Sequence, residues 1–189
     1  MSLGDLNGDG VTDAVTANAS VDSVSVLLGV GNGEFTAFRS FSVGDSPEHV
    51  RIADLNNDGA LDVVAVNRLG KLRDQVGDVS VLFGKGDGTL DPAVHLSLGD
   101  VANAFYANIL DIDNDGGLDI AVSTSHTTVI LKGDGAGGFS GPQNVGPGGY
   151  SVVGGDFNTD GNTDLAIGSW GGGVSVVLAE PDQGFSTPV

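Results

Sequence analysis

Carboxylates recur along this chain at a spacing suited to caging a hard cation. Four nine-residue segments, DLNGDGVTD (Asp5 to Asp13), DLNNDGALD (Asp54 to Asp62), DIDNDGGLD (Asp111 to Asp119) and DFNTDGNTD (Asp156 to Asp164), share the pattern D-x-[DN]-x-D-G-x-x-D without exception. Oxygen-bearing side chains at positions 1, 3, 5 and 9 can converge on one ion, and the Gly at position 6 permits the turn that brings them together. Asp-Asn-Gly runs also form ordinary turns, but a turn does not require Asp at position 9 in every copy. An EF-hand is excluded. Its twelfth position should be a bidentate Glu, whereas Thr16, Ala65, Val122 and Ile167 stand there, followed by strand-like rather than helical sequence. Five or more oxygens in a flexible ring suit Ca²⁺ better than Mg²⁺, which retains waters and strict octahedral geometry. Transition metals favour His or Cys, and no loop holds either. With the ligand positions filled by protein, the expected role of the ion is structural.

Composition agrees. The 189 residues carry a net charge of −18, and thirteen of the 25 acidic residues lie in the four loops, so the acidity is largely a metal-binding property. Seven Lys and Arg are too few to meet a phosphate backbone or an anionic bilayer. The absence of Cys removes thiolate metal sites, thiol catalysis and disulfides. No apolar run approaches the ~18 residues of a membrane helix, and MSLGDLNG lacks the basic and apolar regions of a signal peptide. The first loop begins at Asp5 and only STPV follows Phe185. The expectation is a piece of a longer chain, with Met1 to Leu3 an expression remnant and any signal peptide elsewhere.

The elements that position the loops are strands. Successive loops start 49, 57 and 45 residues apart, a period typical of propeller blades. Each runs into a short β-branched segment beginning DAVTA, DVVAV, DIAVS or DLAIG. A second recurring element follows: VSVLLGVGNGEF (Val24 to Phe35), VSVLFGKGDGTL (Val79 to Leu90), TVILKGDGAGGF (Thr128 to Phe139) and VSVVLAEPDQGF (Val174 to Phe185). Each reads as a strand, a Gly-rich turn and an apolar anchor, and the 32 Gly suit many tight turns. GDGAGG (Gly133 to Gly138) matches a dinucleotide fingerprint, but FSGPQ follows instead of the helix that such a site needs. Four strands per repeat, A before the loop, B after it, C in the second element and D beyond its anchor, make a propeller blade. A sandwich would not require identical loops at a fixed period.

The loops, strand B and the G-x-G-x-G-x-F element together resemble the FG-GAP/VCBS repeats of the integrin α-like calcium-binding β-propellers, over essentially the whole chain. The resemblance implies Ca²⁺, up to four ions, as the cofactor. The ligands would be Asp5, Asn7, Asp9 and Asp13; Asp54, Asn56, Asp58 and Asp62; Asp111, Asp113, Asp115 and Asp119; and Asp156, Asn158, Asp160 and Asp164. Position 7 (Val11, Ala60, Gly117, Asn162) would add its backbone carbonyl. The expected fold is all-β: a β-propeller of four-stranded antiparallel blades, with repeats near 1–53, 54–110, 111–155 and 156–189 in one domain and the first and last incomplete. Family rings usually have about seven blades, roughly 330 residues at this period. The chain therefore reads as a partial propeller, with self-association one way to complete it.

In an up-and-down blade the A–B and C–D connections share one end and the B–C and D–A connections the other. With metal at the A–B end, partner binding is expected at the opposite end. A long B–C insertion there (Asn67 to Asp78) carries Arg68, Lys71 and Arg73; other B–C loops hold His126 and Trp170, and D–A connections hold His49, Phe105, Tyr106 and Tyr150. Candidate partner-contacting residues are Arg68, Lys71, Arg73, Tyr106, His126, Tyr150 and Trp170, suited to an acidic partner or a sugar. A solvated hairpin with packed aromatics is the plainer alternative. His49, His95 and His126 show no catalytic spacing. The expected function is a non-enzymatic, Ca²⁺-stabilised extracellular or cell-surface interaction and adhesion module. Its partner would be a protein or a glycan rather than a nucleic acid, without membrane insertion. The alternative is a lectin-like carbohydrate-binding propeller, or the accessory propeller of a secreted polysaccharide-active enzyme.

Overall fold

The computed structural model describes residues 1–68, 76–101, 103–180 and 184–188, and all regular structure among them is β. Four antiparallel sheets follow one another along the chain. The first is β1 (Ser2–Gly4), β2 (Asp13–Asn18), β3 (Ser23–Leu27) and β4 (Arg39–Ser42). The second is β5 (Pro47–Ala53), β6 (Asp62–Asn67), β7 (Asp78–Leu82) and β8 (Val94–Ser97). The third is β9 (Ala104–Leu110), β10 (Asp119–Thr124), β11 (Thr127–Gly133) and β12 (Phe139–Pro147). The fourth is β13 (Ser151–Gly155), β14 (Asp164–Gly168) and β15 (Val174–Val177). Strands pair in sequence order within every sheet, the up-and-down meander of a propeller blade. Counted from loop to loop, the repeats are offset from the sheets by one strand. β5 precedes the second metal loop, yet pairs with β6 beyond it.

The inner strands read as apolar runs because both faces are covered. β6 and β10 are buried along their whole length. Alternation divides β6: Val63 and Ala65 pack with Val15, Val24 and Val26 of the first sheet, while Val64 and Val66 pack with Ala107, Ile120 and Val129 of the third. A third core joins Ala121 and Ile130 to Val152, Leu165 and Ile167. The three cores stack the four blades in sequence order. Among the described residues no core joins the first blade to the fourth, so the blades form part of a propeller rather than a closed ring. The two outward faces differ. Thr16, Ser25 and Ser40 lie in register on the first, whereas Val153, Ala166 and Val176 lie in register on the fourth.

Candidate metal loops and the opposite face

The four acidic loops adopt one conformation. The position-1 carboxylates of Asp5, Asp54, Asp111 and Asp156 accept the position-5 N–H on Oδ1 at 3.2, 3.1, 3.1 and 3.2 Å. They accept the position-6 Gly N–H on Oδ2 at 2.8, 2.9, 3.0 and 3.0 Å. At position 5, Asp9, Asp58, Asp115 and Asp160 take the position-7 N–H on Oδ1 at 2.7–2.8 Å. Asn7, Asn56 and Asn158 donate to the other oxygen of that Asp. These bonds wrap the backbone around the carboxylates and hold Asp5 and Asp160 below the usual carboxylate range, through the N–H of Gly10 first in one and of Asn162 first in the other. The position-6 glycines have φ of 81°, 88°, 90° and 89° with open space around them, so backbone conformation rather than crowding demands Gly there.

Position 9 has a second task. Asp13, Asp62, Asp119 and Asp164 are fully buried. Each takes two backbone N–H bonds. One comes from loop position 2: Leu6 2.8, Leu55 2.8, Ile112 2.8 and Phe157 2.9 Å. The other comes from the residue opening the C–D turn: Gly29 2.8, Gly84 2.8, Gly133 2.9 and Ala179 2.8 Å. The acidic loop is thereby tied to the hairpin of its own blade. The approach is so close that a Cβ on Gly84 would lie 2.2 Å from the Leu61 carbonyl oxygen, which explains the first Gly of this element in the first three copies, whereas the fourth accommodates Ala179 there. Burial pushes the Asp62 and Asp119 carboxyls up despite these bonds, and the neighbouring loop carboxylates add to the rise. A cation at the loop centre would relieve that cost.

The donor set fits such an ion. Oxygens of Asp111, Asp113 and Asp115 all lie within 4.8 Å of one another. Ligands on opposite sides of a cation with 2.3–2.6 Å bonds are separated by about 4.6–5.2 Å. Asp113 Oδ1 is buried and has no hydrogen-bond partner, leaving a lone pair for a metal. This third loop has Asp where the others have Asn, and the added charge is met by Lys132, whose Nζ lies 2.9 Å from Asp113 Oδ2. Each copy thus presents a comparable net charge.

Position 4 is left-handed in every loop: Gly8 at φ 73°, Asn57 at 57°, Asn114 at 59° and Thr159 at 63°. Asn57 and Asn114 also reach the next blade, donating to Gly135 O (3.0 Å) and Gly161 O (3.4 Å). Thr159 is β-branched and strained in this region. Thr159→Asn is expected to stabilise the protein by about 1 kcal/mol, raising the melting temperature by about 2–4 °C in a calorimetric scan.

At the opposite end the structure sorts the candidate contacts. Arg68, Tyr150 and Trp170 line one groove with Glu48, Asn103, Phe105 and Ser125. Tyr106 does not join them, because strand alternation turns Phe105 and Tyr106 to opposite faces of β9. Tyr106 stacks on His49 (4.1 Å between centroids, 25°) beneath the Arg51 guanidinium. His49 accepts the Ala107 N–H at 3.3 Å, and burial with the Arg51 charge lowers its pKa to about 4, keeping it neutral. His126 is exposed beside Ser125 and does not line the groove. Lys71 and Arg73 lie outside the described residues. His49, Phe105 and Tyr106 fall within strands β5 and β9 rather than in the connections where the sequence reading put them.

Cross-strand pairing also assembles Asp78, Ser80 and His95, a set the sequence spacing did not suggest. Ser80 Oγ (3.1 Å) and Asp78 Oδ2 (3.5 Å) approach the same His95 Nδ1. A catalytic relay needs them on different ring nitrogens. Ser80 is also fully buried and accepts from Gly44 N–H and Asn67 Nδ2. The arrangement is structural.

Comparison with known proteins places this geometry. A solved structure concerning specific recognition of non-reducing terminal N-acetylglucosamine by an Agrocybe aegerita lectin aligns over 99% of this chain at 19% identity and a TM-score of 0.43. The chain spans 64% of that lectin's length. No curated protein matches. The FG-GAP-like repeat matches at residues 5–65 and 111–167, together more than half of the chain. With four acidic loops, each bonded to the hairpin of its own blade, and that match spanning two loops in each of its two ranges, the chain belongs to the FG-GAP-like repeat family.

Proposed function

We propose that the chain is a non-enzymatic, Ca²⁺-stabilised interaction module of an extracellular or cell-surface protein, with adhesion or scaffolding as its task. The observation that carries this reading is the fourfold cage, in which a buried position-9 Asp belongs both to the metal loop and to the C–D hairpin of its blade. An ion in each cage fixes loop to sheet and leaves the opposite end of the blades for a partner. Loops of this open kind have dissociation constants of roughly 10⁻⁴ to 10⁻³ M, concentrations of Ca²⁺ found outside cells. The reading is tested by equilibrium dialysis of chelator-stripped protein against Ca²⁺. Binding approaching four ions per chain is expected, reduced by one when Asp54 and Asp58 are both changed to Asn. No saturable Ca²⁺ uptake would refute it.

Carbohydrate binding is the second reading, favoured by the aromatic groove among the B–C and D–A connections.

A further inference from the structure

The groove opposite the metal loops has a built chemical character. Three aromatic rings meet there, Phe105 from β9 and Tyr150 and Trp170 from two connections. Trp170 contacts Phe105 edge-on (4.9 Å, 72°) and Tyr150 at a tilt (3.6 Å, 52°), and Phe105 lies 6.2 Å from Tyr150. Trp170 remains 41% exposed and Tyr150 59% exposed. Facing them, the Arg68 guanidinium lies 5.6 Å over the Phe105 ring and 3.1 Å from Glu48, and its Nε donates to the Asn103 side-chain Oδ1 at 3.3 Å. The groove encloses about 750 Å³, within the roughly 300–1,000 Å³ typical of small-ligand sites.

Charge decides among ligands. On a chain of net charge −18, Arg68 is the one cation lining this groove among the described residues, and it is already paired with a carboxylate. An anionic ligand would have to displace Glu48, and a cationic one would meet Arg68. A neutral ligand faces neither cost. Exposed ring faces favour an apolar C–H surface, while Glu48, Asn103 and Arg68 hold acceptors and donors side by side at the rim. A molecule with an apolar face and a rim of adjacent hydroxyls is a pyranose.

We infer that this groove binds a neutral hexopyranose unit of a glycan, stacked on Trp170 and Tyr150 and hydrogen-bonded by Glu48, Asn103 and Arg68. This inference rests on the reading of the chain as a binding module and names its ligand class. Trp170 is the only Trp in the chain, so intrinsic fluorescence reports on this groove alone. The test titrates Ca²⁺-loaded protein with a panel of neutral mono- and disaccharides and screens the same sample on a glycan array. A saturable change in Trp emission is expected with at least one neutral sugar, weakened at least tenfold by Tyr150→Ala. The matching array signal should be lost in Trp170→Ala, with both variants melting as the parent does. The inference is overturned by correctly folded, Ca²⁺-loaded protein that shows no emission change and no array signal, or that answers only charged glycans or peptides. A melting scan with and without chelator on the same batch separates the two readings. Ca²⁺-dependent melting without a sugar response removes the groove proposal alone, and a sugar response without Ca²⁺ dependence removes the metal reading alone.

Discussion

Chelation of Ca²⁺-loaded protein is expected to lower its melting temperature by roughly 5–30 °C. The figure follows from linkage. A ligand that binds only the folded state stabilises it by RT ln(1 + [L]/Kd). At about 2 mM free Ca²⁺ and dissociation constants of ~10⁻⁴ to 10⁻³ M, this is roughly 0.6–1.8 kcal/mol per site. Four sites give about 3–7 kcal/mol, and for a chain of this size each kcal/mol moves the midpoint by about 2–4 °C. The cages supply the reason for such dependence. Without an ion, Asp54, Asp58 and Asp62 crowd together in one loop, and the buried Asp62 is already displaced toward its neutral form. The measurement is a calorimetric scan in CaCl₂ and in EDTA, on protein first shown to be metal-loaded. Superimposable curves would contradict the structural role of the ion.

What could be read from sequence was what is local. An acidic loop is nine consecutive residues, so its recurring carboxylates, its Gly and the strand it opens were all legible, as was the four-strand blade from the period of the repeat. The purpose of the G-x-G-x-G-x-F element was not. In the second blade Gly84 lacks room for a side chain because the Leu61 carbonyl presses on it from a loop 23 residues earlier, a closeness the fourth blade relaxes for Ala179. The Gly84 N–H completes the pairing of Asp62, a contact that only the folded blade creates. The groove shows the same limit. Glu48, Asn103 and Phe105 come from different strands and connections, and nothing in their spacing joins them to Trp170. Phe105 and Tyr106 are adjacent, so composition cannot choose between them. The alternation of β9 does, and it places the Phe rather than the Tyr beside Trp170. The left-handed backbone at position 4 (Gly8, Asn57, Asn114, Thr159) became visible only in the folded loops, and its odd member is the strained one.

The dual use of position 9 predicts a contrast that metal ligation alone does not. In EDTA, Asp62→Ala leaves the buried N–H groups of Leu55 and Gly84 without acceptors. An unsatisfied buried group costs about 1–3 kcal/mol. Removing the carboxylate also removes its repulsion with Asp54 and Asp58, which raises its pKa in the metal-free protein and offsets part of the loss. The expected net destabilisation is about 2–4 kcal/mol. Asp62→Asn keeps one acceptor oxygen and should fall between parent and Ala. Asp58 is exposed and bonds only within its own loop. Asp58→Asn should therefore change stability by less than about 0.5 kcal/mol in EDTA, yet weaken the response to added Ca²⁺. Urea unfolding at low temperature, with and without Ca²⁺, distinguishes the two positions. Equal behaviour of the Asp58 and Asp62 variants in EDTA would mean that position 9 is a ligand and nothing more. A large loss at Asp62 alone would establish it as the peg that fastens each cage to its blade before any ion arrives.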